Sequence, residues 1–333
     1  MQRNTQWFAK SGWGVFCHYL SQCFHSPGSE MSAQTWNDMV DAFDVRGLAQ
    51  QLHSVGAPYF FITIGQGSGY FCAPNATYDR LAGIQPSKCS RRDLIADLHA
   101  ELDPLGIKLL VYSAAGIGWN DHEARPGLKL HHHHNDLDAD GHKLGYAIWR
   151  QHRQVDFMRN IEAIHAEWSA RWGSKIHGWW IDGCYEHEAR FPDGDPPNFE
   201  TFAAALRTGS PEAIVCFNTG VKTPIICSTV HEDYTPGEIS RALPECRGPW
   251  VEKGDHRARY HTLSYLGEGW CKGSPRFPIE MVVGYTKHVT AKGGVVTWDV
   301  PIGVDGLIPE PFLNQLGAIG RAVARAEATV GAG

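Results

Sequence analysis

The sequence has no run of about 18 apolar residues, so no helical membrane span is expected. It has no long basic run either. Lys and Arg number 30 against 36 Asp and Glu, a net charge of −6, which argues against affinity built on phosphate neutralisation and against a polybasic membrane anchor. The nine cysteines are an odd number and include no C-x-x-C pair. Cys17, Cys184, Cys216 and Cys227 lie inside apolar runs and read as reduced core residues. The start, MQRNTQWFAK, carries no apolar signal core and no small-residue cleavage site. A cytoplasmic protein is the expectation, although a chain with a trimmed leader would read the same.

What is present is enough for a large core. The 333 residues are 43% hydrophobic and 20% charged, outside the range of disordered or collagen-like chains. A globular chain of this length buries roughly 75% of the surface its unfolded form exposes, so neither metal nor disulfide is required to hold it. Aromatics are plentiful, with 12 Trp, 11 Tyr and 14 Phe. Trp offers a flat apolar face for the C–H side of a sugar ring, and also simply fills cores.

Short apolar runs alternate with helix-length patterns. The strand candidates are Trp13–Tyr19, Tyr59–Ile64, Ile107–Ser113, Ile176–Asp182, Ala213–Asn218, Pro224–Val230, His261–Leu266 and Gly294–Val300. Helices are expected over Val45–Val55, from a Ser90/Asp93 capping box through Leu102, over about 25 residues around Phe157, Ile161, Ile164 and Trp168, over Ile279–Lys292, and over Pro311–Ala328. Continuous apolar strands separated by helices predict an α/β fold with a parallel sheet covered by helices. Eight strands predict a (β/α)8 TIM-like barrel with long βα loops, irregular around strands five and six, as a single domain over 1–333. A doubly wound open sheet is the competitor, but Gly65-Gln66-Gly67-Ser68-Gly69 leads into a long loop instead of a helix.

Barrel chemistry sits at strand carboxyl ends. That rule selects His18, Gln66 with Ser68, Tyr112 with Ser113, Asp182, Asn218, the acidic stretch Glu232, Asp233 and Glu238, Glu268, and Trp298 with Asp299. Asp182 ends the strand WWID, walled by Trp179 and Trp180. A carboxylate fixed there is suited to attack an anomeric carbon; the plainer alternative is a cap for the next helix. Sugar hydrolysis needs a second, protonated carboxyl facing the same bond, and Glu232 to Glu238 supplies it.

Six segments occur in a telling order: WGVFCHY at 13–19, GAPYFFITIG at 56–65, RRDLIADLHAELDPLGIKLLVYSAAGIGW at 91–119, WWID at 179–182, DYTPGE at 233–238 and GGVVTWDVPIGVDGLIPEPFLNQLGAIG at 293–320. Together they resemble the α-L-fucosidase family of glycoside hydrolases, family 29, from about residue 12 to residue 324. The resemblance implies a (β/α)8 barrel, a retaining exo-acting mechanism, Asp182 as nucleophile, Glu238 as acid/base with Glu232 as second choice, and His18 as a contact to a sugar hydroxyl. It implies no cofactor. The full substrate-binding set is taken as His18, Trp36, Gln66, Tyr112, Trp119, Trp180, Asn218, Trp270 and Trp298. The expected partner is an oligosaccharide or glycoside, with no nucleic acid and no membrane; a homo-oligomer is left open.

Departures from the family pattern are equally informative. Its K-H-H-D-G-F stretch is replaced by Gly65 to Tyr70, its N-D-R by Asn218-Thr219-Gly220, and its E-W-Y by Thr35-Trp36-Asn37. Buried polar groups that no longer match a substrate hydroxyl change specificity sharply, so the glycone need not be L-fucose. No counterpart of the family's C-terminal β-sandwich is expected from this sequence. The run His131 to His134 and the triplet Glu186-His187-Glu188 are of metal-ligand type, but neighbours in a loop do not converge easily on one ion, and no metal site is assigned. Two rival readings remain: a carbohydrate-binding barrel without chemistry, and a metal-dependent sugar-active enzyme using the histidine loop.

Overall fold

The computed structural model describes residues 5–24 and 31–330, the last six by backbone alone. The extreme ends of the 1–333 span, including the first four residues of MQRNTQWFAK, lie outside the described residues. Among the described residues nine strands form: β1 Trp13–Cys17, β2 Tyr59–Thr63, β3 Lys108–Ala114, β4 Gly178–Asp182, β5 Ile214–Phe217, β6 Trp250–Lys253, β7 His256–Arg259, β8 His261–Tyr265 and β9 Val295–Asp299. Seven of them make one parallel sheet in the order β5-β4-β3-β2-β1-β9-β8. β6 and β7 form a separate antiparallel hairpin that the sequence reading did not anticipate.

The sheet is curled, a partial barrel of the TIM type, and its edges are β5 and β8. The extended segment 233–239 lies between them. Asp233 N–H donates to Val215 O at 2.9 Å, Thr235 N–H to Arg259 O at 2.9 Å, Ile239 N–H to Leu263 O at 2.9 Å, and Leu263 N–H to Gly237 O at 2.9 Å. The expected irregularity is therefore present, but one strand was misplaced. Pro224–Val230 is loop, with Ile226 and Val230 exposed; a strand buried on both faces cannot leave such residues in water.

Alternation along the strands sorts side chains into two cores. Phe16, Tyr59, Phe61, Leu110, Tyr112, Trp180, Ile214, Cys216 and Val295 point into the curl. Trp13, Val15, Phe60, Ile62, Val111, Trp179, Val215 and Trp298 point outward and meet Leu48, Leu98, Ile164, Phe202, Val282 and Leu316 of the surrounding helices. Ser32, Asp44, Asp93 and Asn198 cap helices by accepting backbone N–H groups three residues on. Asp93, and not Ser90, is thus the cap of its helix. The long helix spans Val155–Trp172, shorter than the pattern predicted.

The amino end of the curl is stoppered. Phe8, on the helix Gln6–Ser11, is fully buried, with ring contacts to Tyr59 at 5.1 Å, Tyr234 at 5.0 Å and His261 at 5.4 Å. No helix among the described residues is long and apolar enough to cross a membrane.

Gly237 has φ +59°, and a Cβ there would lie 1.9 Å from His261 O. Gly254 has a similar φ of +58° but open space around it. Gly254→Ala should therefore cost only the left-handed strain, about 1–2 kcal/mol. Gly237→Ala should cost clearly more, because 233–239 must also withdraw from β8. Urea unfolding of both variants checks the ordering.

Candidate active site

The carboxyl ends of the strands bring the polar side chains together. Asp182 closes β4 on its inward parity, and its carboxylate collects donors. Tyr112 O–H donates to Oδ2 at 2.7 Å and Gln66 Nε2 lies 3.4 Å from the same oxygen. Gly183 N–H reaches Oδ1 at 2.7 Å, Asn218 Nδ2 at 2.9 Å and Tyr185 O–H at 3.4 Å. Gln66 also bonds Tyr112. Burial, then the Asp182 charge, raises the Tyr112 phenol well above its usual range, so it stays a donor. Arg190, fully buried with its guanidinium 4.2 Å from the Trp149 ring, donates to Gly183 O at 2.6 Å and fixes the backbone beside Asp182.

Glu238 faces Asp182. Asn218 Nδ2, which bonds Asp182, also lies 2.7 Å from Glu238 Oε2. One amide nitrogen therefore spans the two carboxyls. Burial first, and the Asp182 charge second, push the Glu238 carboxyl up to about 7, against the pull of Asn218 and His18. Trp180 Nε1–H donates to Pro236 O at 3.0 Å, tying β4 to the segment that carries Glu238. Trp180 and Tyr112 stack with centroids 5.3 Å apart and form the floor.

His18 closes one side. Its Nδ1 is 2.7 Å from Asp299 Oδ1. Burial opposes charging of the ring, but the Asp299 carboxylate outweighs it through charge and hydrogen bond, and the His18 pKa rises. The Trp270 ring lies 5.6 Å from that of His18. These residues enclose a cavity of about 340 Å³ containing Asp182 and Glu238. A second cavity of about 480 Å³ adjoins it across Glu238 and Tyr185, and a third of about 170 Å³ adjoins it across Asp182, Gln66 and Tyr185.

No family model and no curated protein sequence matches the chain. Solved structures do. The endo-fucoidan hydrolase P5AFcnA of glycoside hydrolase family 107 superposes with a TM-score of 0.67 at 14% identity, over 94% of this chain and 92% of that one. A second family 107 endo-fucoidan hydrolase, MfFcnA4, gives 0.66 at 17% identity, over 92% of this chain and 52% of its own length. The α-L-fucosidase isoenzyme 1 from Paenibacillus thiaminolyticus gives 0.64 at 18% identity, over 98% of this chain and 76% of that one. The fold is fucosidase-like. The chain is structurally similar to family 29 α-L-fucosidases and family 107 fucoidanases at low sequence identity.

Within this fucosidase-like fold, the structure gathers His18, Gln66, Tyr112, Trp180, Asp182, Asn218, Glu238 and Trp270 at one cavity. It separates others. Trp36 is fully buried, its Nε1–H donated to Phe71 O at 2.9 Å. Trp298 is fully buried on the outward parity of β9, donating to Thr286 Oγ1 at 2.9 Å. Both are core residues, and the expectation that they meet a ligand is corrected. Trp119 lines the 170 Å³ cavity, stacked on His133 at 4.4 Å. Glu232 lies outside these cavities: it is sealed in the interior, with Oε1 accepting from Ser228 N–H at 2.7 Å and Oε2 unpartnered.

Tyr185, Cys23 and Cys271 line the cavity and were missed, whereas Asp299 was named at its strand end but left out of the binding set, and it holds His18 from behind. Strand parity would have ranked Asp299 above Trp298, since it sits two residues beyond the inward Thr297 on the same alternation. Tyr185 and the cysteines lie on loops, where no periodicity applies. Within the histidine run the rings of His133 and His134 lie 4.1 Å apart, but among the described residues the run contributes to no cluster of three metal-ligand groups. His133 stacks on Trp119, and His134 stacks on Tyr146 with centroids 4.4 Å apart. Burial pushes the two imidazoles down to about 3 and about 4. Glu186, His187 and Glu188 line the 480 Å³ cavity, with Glu186 paired to Arg150. Among the described residues the grouping of metal-ligand type is Asp138, Asp140 and His142, exposed on the loop after β3 and away from the cavities. Asp138 Oδ1 there accepts the N–H groups of Asp140 and His142, each at 2.9 Å.

Burial raises the Glu232 carboxyl from 4.5 to about 8. The folded state then holds a proton that the unfolded state releases, so this residue makes stability fall as pH rises between those two values. Glu232→Gln does not titrate. Relative to wild type the variant should gain on the order of a few kcal/mol between about pH 5 and pH 8, measured by urea unfolding at each pH.

Proposed function

We propose that the chain is a retaining, exo-acting glycoside hydrolase on a (β/α)8 barrel closed by segment 233–239. The observation that carries this reading is the amide of Asn218 bonded to both Asp182 and Glu238 where two cavities meet. Laid end to end, its two bonds are of the order of the roughly 5–5.5 Å carboxyl separation that double displacement requires.

The glycone ring occupies the 340 Å³ cavity, over the Trp180 and Tyr112 floor, with His18, Gln66 and Trp270 around it. Asp182 attacks the anomeric carbon and forms a glycosyl ester. Glu238 protonates the departing oxygen, then takes a proton from the water that hydrolyses the ester. Glu238 borders the cavities of about 340 and 480 Å³, so the scissile bond crosses their boundary and the leaving group lies beside Tyr146, Glu186 and Lys222. Tyr112 and Gly183 hold charge on Asp182 before attack and receive it back on hydrolysis. The fucosidase and fucoidan hydrolase folds of similar structures support a fucose-like glycone. The altered stretch around Gln66 favours a related sugar, and a panel of aryl glycosides of L-fucose, L-arabinose, D-arabinose and D-galactose decides between them.

Asp182→Asn should abolish turnover with folding intact, read by kinetics beside circular dichroism; retained activity removes the nucleophile. Glu238→Ala should slow glycosides with poor leaving groups by about 10²–10⁴-fold while activated aryl glycosides lose less. If Glu232→Ala gives that pattern instead, the acid assignment is wrong. As the acid must be protonated and titrates at about 7, kcat/KM should fall on the alkaline side of about pH 7. Glu238→Ala should flatten that limb for activated substrates.

A further inference from the structure

Two cysteines separated by most of the chain meet at the cavity of about 340 Å³. Cys23 ends the 3-10 turn Ser21–Cys23 that follows β1. Cys271 lies in the turn after β8, where Lys272 and Gly269 bridge. Both line the cavity that holds Asp182 and Glu238, and both are half-buried, whereas the other seven cysteines are buried. The two thiols are near enough to shift each other's titration.

The turn holds Cys271 against its own backbone preference. Its φ is +54°, rare for a side chain larger than glycine. Its N–H is anchored on Asp299 Oδ2 at 3.1 Å, while Oδ1 of the same carboxylate holds His18. The neighbouring Cys23, and then His18, lower the Cys271 thiol below its ordinary pKa against the effect of burial. His18 beside Cys271 favours a thiolate there, which makes Cys271 the attacking thiol and Cys23 the resolving one.

We propose that Cys23 and Cys271 are a peroxide-responsive pair whose disulfide ties the β1 and β8 loops together across the cavity. The Cys271 thiolate attacks one oxygen of hydrogen peroxide; the O–O bond breaks, the sulfur is oxidised to a sulfenic acid, and hydroxide leaves. The Cys23 thiol then attacks that sulfur; the S–S bond forms, the S–O bond breaks, and its proton departs with the hydroxyl as water. Two thiols and one peroxide become one disulfide and two waters. The bond itself is independent of the hydrolase reading; its effect on turnover rests on that reading.

The test uses the full chain, reduced, freed of reductant and treated with hydrogen peroxide. Remaining thiols are alkylated in denaturant, and the digest is mapped by mass spectrometry. The expected product is one cross-linked peptide joining Cys23 to Cys271, lighter by two hydrogens than the separate peptides and cleaved by dithiothreitol. In Cys23→Ser, which lacks the resolving thiol, Cys271 should run on to the sulfinic acid. Alkylation of both residues after peroxide, or cross-links through the buried cysteines, overturns the proposal without recourse to any variant. Turnover of an aryl α-L-fucoside, or of the glycoside chosen from the panel, should be lost on oxidation and regained on reduction. A Cys23–Cys271 cross-link that leaves turnover unchanged overturns the closing of the cavity. A reduced chain inactive on the whole panel sinks the hydrolase reading alone, because the cross-link is read by mass.

Discussion

The backbone hydrogen bonds of segment 233–239 are the constraint on which the site depends. The two edges of a curled parallel sheet present rows of unpaired amide groups, and such groups are costly when buried. Segment 233–239 satisfies part of that demand toward Val215 on one side and Arg259 and Leu263 on the other. It can do so without regular strand geometry because Gly237 accepts a left-handed backbone beside His261. The kink delivers Glu238 across from Asp182, and Trp180 fixes the distance by bonding Pro236.

Two glutamates six residues apart both hold protons more tightly than usual, for different reasons. Glu232 is sealed in the interior, where burial raises it, with one oxygen held by Ser228 N–H and the other without a hydrogen-bond partner. Glu238 is raised by burial together with a neighbouring negative charge across a ligand-sized space. A shifted pKa alone would have favoured Glu232. The cavity, and the shared Asn218 amide, separate the structural carboxyl from the one available to a substrate.

The sequence carried much of this. WWID gave the strand and its terminal carboxylate, since an apolar run ending in Asp is visible without coordinates. Alternation of apolar runs and helical patterns gave the parallel sheet. Errors arose where a short-range pattern is blind. Trp298 was favoured over Asp299 because aromatic content was weighed and strand parity was not; period two puts the Trp among helices and the Asp beside His18. Trp36 was retained as a fragment of a family motif although its helical position faces the core. Pro224–Val230 was apolar enough to pass for a strand, yet its exposed Ile226 and Val230 belong to a loop. The approach of Cys23 to Cys271 depends on the tertiary fold, and no spacing in the chain encodes it.

Phe8 has a consequence for traffic. A tube open at both ends would let a long polysaccharide slide through like thread through a bead. Here the amino side is plugged by an aromatic ring wedged among Tyr59, Tyr234 and His261. A molecule entering between the loops finds no exit past this ring, so the cavity is a dead end and not a passage.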